Sequence, residues 1–256
     1  MRKERVKMIP KKIHYCWFGG NPIPEKFQKN IVTWKKYFPD FEFICWDENK
    51  FDITSHPFVK KAYEMKKWAF VSDYIRLQAL YHHGGIYLDT DVEVTQAFSP
   101  FLDKSFFVGM DFHPYGEFPN VVGTGVIGSI AGHSFLKSLL DYYGEDEVIE
   151  KMTLTPNNGI FTELATELGL QKNNQEQIIG DGMHIYPSDY FCAFNYKNKR
   201  QLKTKNTYAI HRFEGSWVAI HDQSLWWHMR KKMKALIRSS VGETIYWRIK
   251  DFFTCN

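Results

Sequence analysis

The run Gly85-Ile86-Tyr87-Leu88-Asp89-Thr90-Asp91 sets two carboxylates two positions apart at the end of a short apolar stretch. Side chains alternate faces along a strand. Ile86 and Leu88 therefore face the core, and Tyr87, Asp89 and Asp91 share the other face if the backbone stays extended. Like charges held side by side repel, and a divalent cation removes that cost. Hard carboxylate oxygens suit Mg2+ or Mn2+, which keep positions for phosphate oxygens. Such a cation stabilises the charge on a diphosphate leaving group. Alone, an Asp-x-Asp pair is more often a solvated turn. Here it follows a double glycine and an apolar strand, and the carboxyl ends of strands are where α/β sheets bind ligands.

Other chemistry-bearing residues are scattered. Asp73 and Arg76 stand three apart on one helix face. Their bland reading is a surface salt bridge; on an otherwise apolar helix a cleft-facing pair fits as well, with the guanidinium fork offered to phosphate or sugar. Trp17 ends a first apolar strand beside Gly19-Gly20, a place to stack a base or to pack in the core. Asp47, just past a second strand, is a base or ribose contact. His211 ends a late strand and reads as a metal ligand or a hydrogen-bonded structural histidine. Glu93 continues the parity of the two aspartates and reads as a peripheral residue.

These residues need a scaffold. The patterns predict a buried strand over Lys12 to Phe18, a helix opened by Pro24, and a second strand over Phe41 to Trp46. That is the strand–helix–strand unit of a parallel α/β sheet. A helical stretch from Pro57 runs to His83 and is stopped by Gly84-Gly85, after which Ile86 to Asp89 forms a third strand. Further strands are expected over Ser105 to Met110, Val121 to Ile130, His184 to Pro187 and Tyr208 to His211. Helices are expected over His133 to Tyr143 and Thr155 to Leu168. Asp111 to Gly125, rich in glycine and proline, reads as a mobile loop that shapes an acceptor site, with Thr155-Pro156-Asn157-Asn158-Gly159 beside it.

The chain has 256 residues, 44% hydrophobic and 17% aromatic, enough for one large domain. A net charge of +4 is compatible with anionic ligands and too small to argue for nucleic acid. The four cysteines show neither metal-ligand spacing nor a disulfide framework, in keeping with a reducing, cytoplasmic setting. No signal peptide or membrane span is read. The division expected is a domain over residues 1–223 and a helical extension over 224–256, where Trp226, Trp227, Met229 and Met233 interleave with Arg230, Lys231, Lys232 and Lys234. This basic amphipathic pattern either packs on the domain or lies peripherally on anionic lipid at the cytoplasmic face.

Three separated blocks carry a resemblance. They are Ile9 to Gly20, the pair Ser72-Asp73-Tyr74-Ile75-Arg76 with Gly84 to Val94, and Tyr208-Ala209-Ile210-His211 with Gly215-Ser216-Trp217. Together they resemble glycosyltransferase family 32, which carries the Asp-x-Asp sugar-binding region and includes capsular polysaccharide and outer-chain mannosyltransferase enzymes. They are more distantly similar to the large clostridial glucosylating toxins. The resemblance implies a GT-A fold, a single α/β domain whose central, mostly parallel sheet is flanked by helices. It implies a nucleotide-sugar donor with UDP favoured, a saccharide or lipid-linked acceptor, Mn2+ or Mg2+, and retention at the anomeric carbon. Trp17 matches the base-stacking aromatic. Asp73, Arg76 and Tyr87 match donor contacts. Asp89 matches a donor-orienting carboxylate that also reaches the metal, and Asp91 the direct ligand. His211 and Ser216 fall in the segment completing metal and diphosphate binding, and Trp217 in the segment closing over the phosphates. No nucleophile is evident, so transfer on the front face of the sugar is expected, with Arg76, Asp89 and Asp91 carrying it. A metal-dependent nucleotide-sugar hydrolase and a non-enzymatic carbohydrate-binding module are the competing readings.

Overall fold

Helix α1 (Glu25–Tyr37) follows Pro24, which cannot continue a helix backwards, and its charges oppose the helix dipole, with Glu25 in the first turn and Lys35 and Lys36 in the last. It lies between β1 (Lys12–Cys16) and β2 (Glu42–Trp46). Helices α2 (Pro57–Glu64) and α3 (Trp68–His83) divide the expected helical stretch. The break falls at Lys66, whose left-handed backbone (φ +56°) lets the Lys67 amide return to the Ala62 carbonyl. Strand β3 (Gly85–Leu88) and β4 (Val92–Val94) flank the two aspartates. Then come β5 (Phe106–Phe112), β6 (Pro119–Ser129), α4 (Ser134–Tyr143), α5 (Asp146–Lys151) and α6 (Asn157–Glu167). The rest comprises β7 (Gln177–Ile179), β8 (Met183–Tyr186), α7 (Ser188–Phe191), β9 (Phe194–Asn195), β10 (Arg200–Gln201) and β11 (Ala209–His211).

This is a computed structural model, and it describes residues 8–112, 119–151, 157–195 and 200–214. Its described residues belong to one compact unit, and the expected extension over 224–256 lies outside them.

Seven strands form one sheet in the order β2-β1-β3-β6-β5-β8-β7. Pairing is parallel for β1 with β2, β1 with β3 and β5 with β8, and antiparallel wherever β6 or β7 takes part. Five strands therefore share one direction and two oppose it, the mostly parallel sheet the sequence predicts. Alternation buries both faces. Tyr87, Phe106, Val108 and Ile127 pack with α2, α3, α4 and α6 on one side. Ile86, Leu88, Phe107 and Val126 pack with Trp34, Phe38 and Phe191 on the other. Helices thus cover both faces, as expected.

Two expectations are corrected. Asp111 to Gly125 is not one loop: Asp111 and Phe112 continue β5, and residues 119–125 belong to β6. Glycines in a strand mark close approach rather than a loop, and Gly128 has no room for a Cβ against the Phe107 ring. Secondly, Asp91 does not prolong the extended strand. The Val92 amide donates to the Asp89 carbonyl at 2.9 Å, so the chain turns between the two aspartates and leaves in β4.

Candidate active site

The parallel strands β1, β2 and β3 end on one edge of the sheet, and Trp17, Asp47 and Asp89 follow them there. The turn after β3 is fixed from three sides. The Asp89 amide donates to the Gly125 carbonyl (2.9 Å), the Asn30 side chain donates to the Thr90 carbonyl (2.9 Å), and the Arg212 amide donates to the Asp91 carbonyl (3.1 Å). A separate ribbon pairs β11 with β4, with His211 opposite Val92. That pairing delivers an imidazole from 120 positions further along the chain to the carboxylate of Asp91.

The two aspartates serve different partners. Asp89 belongs to a buried cluster: Tyr87 Oη donates to its Oδ1 (2.9 Å), and Arg76 Nη2 lies 3.3 Å from the same oxygen. Arg76 also meets Asp73 Oδ1 at 3.0 Å, donates to the Thr124 carbonyl at 2.7 Å, and stacks over the Tyr87 ring at 4.6 Å. Desolvation opposes charge on this buried guanidinium, yet Asp89 and Asp73 hold its pKa above the ordinary arginine value. Burial pushes the Asp73 carboxyl up to about 6, against the pull of Arg76, and the neighbouring Asp89 charge adds to the rise. Burial likewise raises Tyr87 well above the ordinary phenol value, so it stays a donor.

Asp91 faces the other way. His211 Nε2 lies 3.2 Å from Asp91 Oδ1 and 3.9 Å from Asp89 Oδ2, and the Glu214 amide donates to Asp91 Oδ2 at 3.0 Å. Burial works to neutralise both groups. The Coulombic pull and hydrogen bond of the pair overcome it, holding Asp91 below the usual carboxylate range and pushing His211 up to about 9. The imidazolium thus stands where a cation is called for. One ligand atom each from Asp89, Asp91 and His211 lies within 4.8 Å of the others, the only such group among the described residues. Two hard carboxylates and an imidazole suit Mn2+ or Mg2+. Gly125 borders the cluster, and a Cβ there would come within 2.9 Å of His211 Nδ1 and 3.2 Å of Asp89 Oδ2.

Of the residues expected from sequence, Asp73, Arg76, Tyr87, Asp89, Asp91 and His211 come together. Trp17 is half-buried at the same sheet edge, its indole donating to the Asn21 carbonyl at 2.6 Å and its ring 5.7 Å from Phe27. Asp47 caps a turn, accepting from the Asn49 and Lys50 amides. Glu93 pairs with Arg212. Ser216 and Trp217 lie outside the described residues. Sequence reasoning missed the Thr124 carbonyl and the Glu214 amide, and it set Gly125 and Asn157 beside an acceptor site rather than here, where the Asn157 side chain donates to the Asp73 carbonyl at 3.1 Å. Backbone groups carry no side-chain signature; the Gly123-Thr124-Gly125 spacing is a signal that could have pointed to a close approach.

Residues 24–108 match the family model of the glycosyltransferase sugar-binding region containing a DXD motif. The chain is 33% identical over 135 residues to inositol phosphoceramide mannosyltransferase 3 of Schizosaccharomyces pombe, covering 50% of this chain and 35% of that protein. It is 28% identical over 227 residues to a glycosyltransferase of Acanthamoeba polyphaga mimivirus, covering 82% of this chain and 84% of the viral protein. Among solved structures it is similar to the PaToxG glycosyltransferase, with 21% identity, a TM-score of 0.49, and coverage of 63% of this chain and 71% of that one. The aligned stretch spans 35% to 41% of the length of the first three yeast relatives.

Proposed function

Because this chain carries the DXD-containing sugar-binding region of a glycosyltransferase family, we propose that it transfers a hexose from a nucleotide-diphosphate sugar to a saccharide or lipid-linked saccharide. The observation that carries this is the convergence of Asp89, Asp91 and His211 at the sheet edge that also bears Trp17. Asp91 and His211 would hold a divalent cation directly, and Asp89 would orient the donor sugar and share in holding the metal. Such a cation, when bound, would supply charge neutralisation for a departing diphosphate.

The chain's own residues do the rest. Tyr87 and Arg76 fix the Asp89 carboxylate, so it need not reorganise during the reaction. The Glu214 amide holds Asp91 in one orientation. Trp17 offers an aromatic face for the base, which favours UDP in keeping with the resemblance. Arg76 is fully engaged by Asp73, Asp89 and Thr124, so its part is to position Asp89. Retention at the anomeric carbon is what the resemblance implies, and with no nucleophile evident to form a covalent intermediate the transfer is assigned to the front face of the sugar. The relatives whose names specify inositol phosphoceramide mannosyl transfer support a lipid-linked acceptor.

The experiment is turnover of a nucleotide-sugar panel with Mn2+, with and without acceptor sugars. Acceptor-stimulated nucleotide release is expected. Equal release without acceptor would assign a hydrolase, and none with any donor a binding module. Asp91→Asn should lower metal-dependent turnover at least about a hundredfold with unchanged circular dichroism; retained turnover would remove the site assignment.

A further inference from the structure

Helix α3 presents two chemistries on two faces. Asp73 and Arg76 serve the DXD turn. Tyr74, Gln78, Tyr81 and His82 recur at i, i+4, i+7 and i+8, a stripe roughly opposite Arg76 at 100° per residue. That stripe, with His56 before α2 and Glu145 after α4, lines an open cavity of about 540 Å3. The volume falls in the range of small-molecule sites. It plays no part in the proposed transfer.

The lining is short of partners. Among the described residues, the side chains of Tyr74, Gln78, Tyr81, His82 and Glu145 make no hydrogen bond, and the buried His56 Nδ1 has none either. Two phenols, an amide, imidazoles and a carboxylate are thus left as donors and acceptors around one space. His56 and Tyr74 stack on each other at 4.2 Å, while Tyr81 stands edge-on to His82 at 5.3 Å and leaves its ring face uncovered by that pair. Charge argues against an anion. The cavity's lysine, Lys137, is ion-paired to Asp141, and Glu145 adds an unpaired negative charge. Burial lowers the pKa of His56, so that ring is neutral at pH 7.

We propose that this cavity binds a segment of a neutral oligosaccharide, with the Tyr81 ring taking the apolar face of a sugar and the unpaired phenol, amide, imidazole and carboxylate groups the hydroxyls. Hydroxyl-rich ligands with flat apolar faces match both halves of the lining. The site stands apart from the DXD turn and does not depend on its transferring sugar.

The test uses the full chain bearing Asp91→Asn, without metal or nucleotide, so that binding reports on the cavity and not on turnover. The probes are arrayed neutral homo-oligosaccharides of glucose, mannose, galactose and N-acetylglucosamine, two to six units long, with sulfated and uronic-acid chains as anionic controls. Retention on at least one neutral series is expected. It should fall at least about tenfold with Gln78→Arg, which fills the cavity and keeps the parent's thermal transition, and with Tyr81→Ala, which lowers that transition but keeps the parent's circular dichroism at the assay temperature. No retained neutral glycan would overturn the proposal. So would retention insensitive to Gln78→Arg in a folded variant, or preference for the anionic controls. Failure of transfer in the unsubstituted chain, with glycan retention intact, would instead count against the DXD reading alone.

Discussion

Arg76 links two carboxylates that otherwise have no business together: Asp73, almost wholly buried, and Asp89, partly open to the cleft. Truncating it to alanine strands both charges, and removing one partner of a buried ionic network costs about 3–5 kcal/mol. Arg76→Ala should lower the midpoint of denaturant unfolding accordingly. Arg76→Lys should recover only part, since a single ammonium cannot reach Asp73, Asp89 and the Thr124 carbonyl at once. His211 sets a pH dependence. Its pKa rises from 6.5 to about 9 in the folded protein. In the metal-free protein its stabilising contribution is therefore complete below pH 6.5 and is lost as pH rises through 9. A cation must displace the same proton, so metal affinity should rise about tenfold per pH unit and level off near pH 9. Titration calorimetry at pH 6.5, 7.5 and 8.5 checks this; a flat affinity would mean that His211 does not ligate the metal.

The site is assembled by elements that are distant in sequence. β3 supplies Tyr87 and the start of the DXD turn, α3 supplies Asp73 and Arg76, β6 supplies backbone carbonyls, and β11 brings His211. β6 matters most for its backbone. It lies antiparallel between β3 and β5, and its Gly125 lets the strand pass against the imidazole without a side chain between. Gly125→Ala forces a methyl into His211, where a contact of 2.9 Å must relax by moving the ring. Metal affinity should fall about tenfold, with a loss of up to about 1–3 kcal/mol of stability from overpacking; unchanged affinity would show that the ring position is not critical. The order of the sheet was not readable in advance. β6 carries the same apolar, glycine-punctuated pattern that a parallel strand would, and nothing local states its direction.

At the scale of the whole molecule, a metal that binds only the folded chain must raise its stability. Mn2+ at a hundred times its dissociation constant contributes about 2.7 kcal/mol, which for a chain of this size raises the thermal midpoint by roughly 5–10 °C. The rise should vanish in EDTA and in Asp91→Asn; a rise that persists in the variant would place the metal elsewhere. No helix among the described residues is long and apolar enough to cross a membrane. What the sequence determined by itself was local: strand and helix periods, the stops at Gly84-Gly85, the family blocks, and the residue types able to hold a cation. These follow from side-chain alternation and chain stiffness, which act over a few positions. The tertiary structure decided which of those residues meet. Asp91 lies on a turn rather than on the strand face that alternation assigned it, and still reaches His211, because β11 pairs with β4 and carries the imidazole across. Arg76 turned inward to Asp73 and Asp89, where the two carboxylates and the Thr124 carbonyl offset the cost of burying the guanidinium. Such choices depend on long-range pairing and desolvation, and no local pattern encodes either.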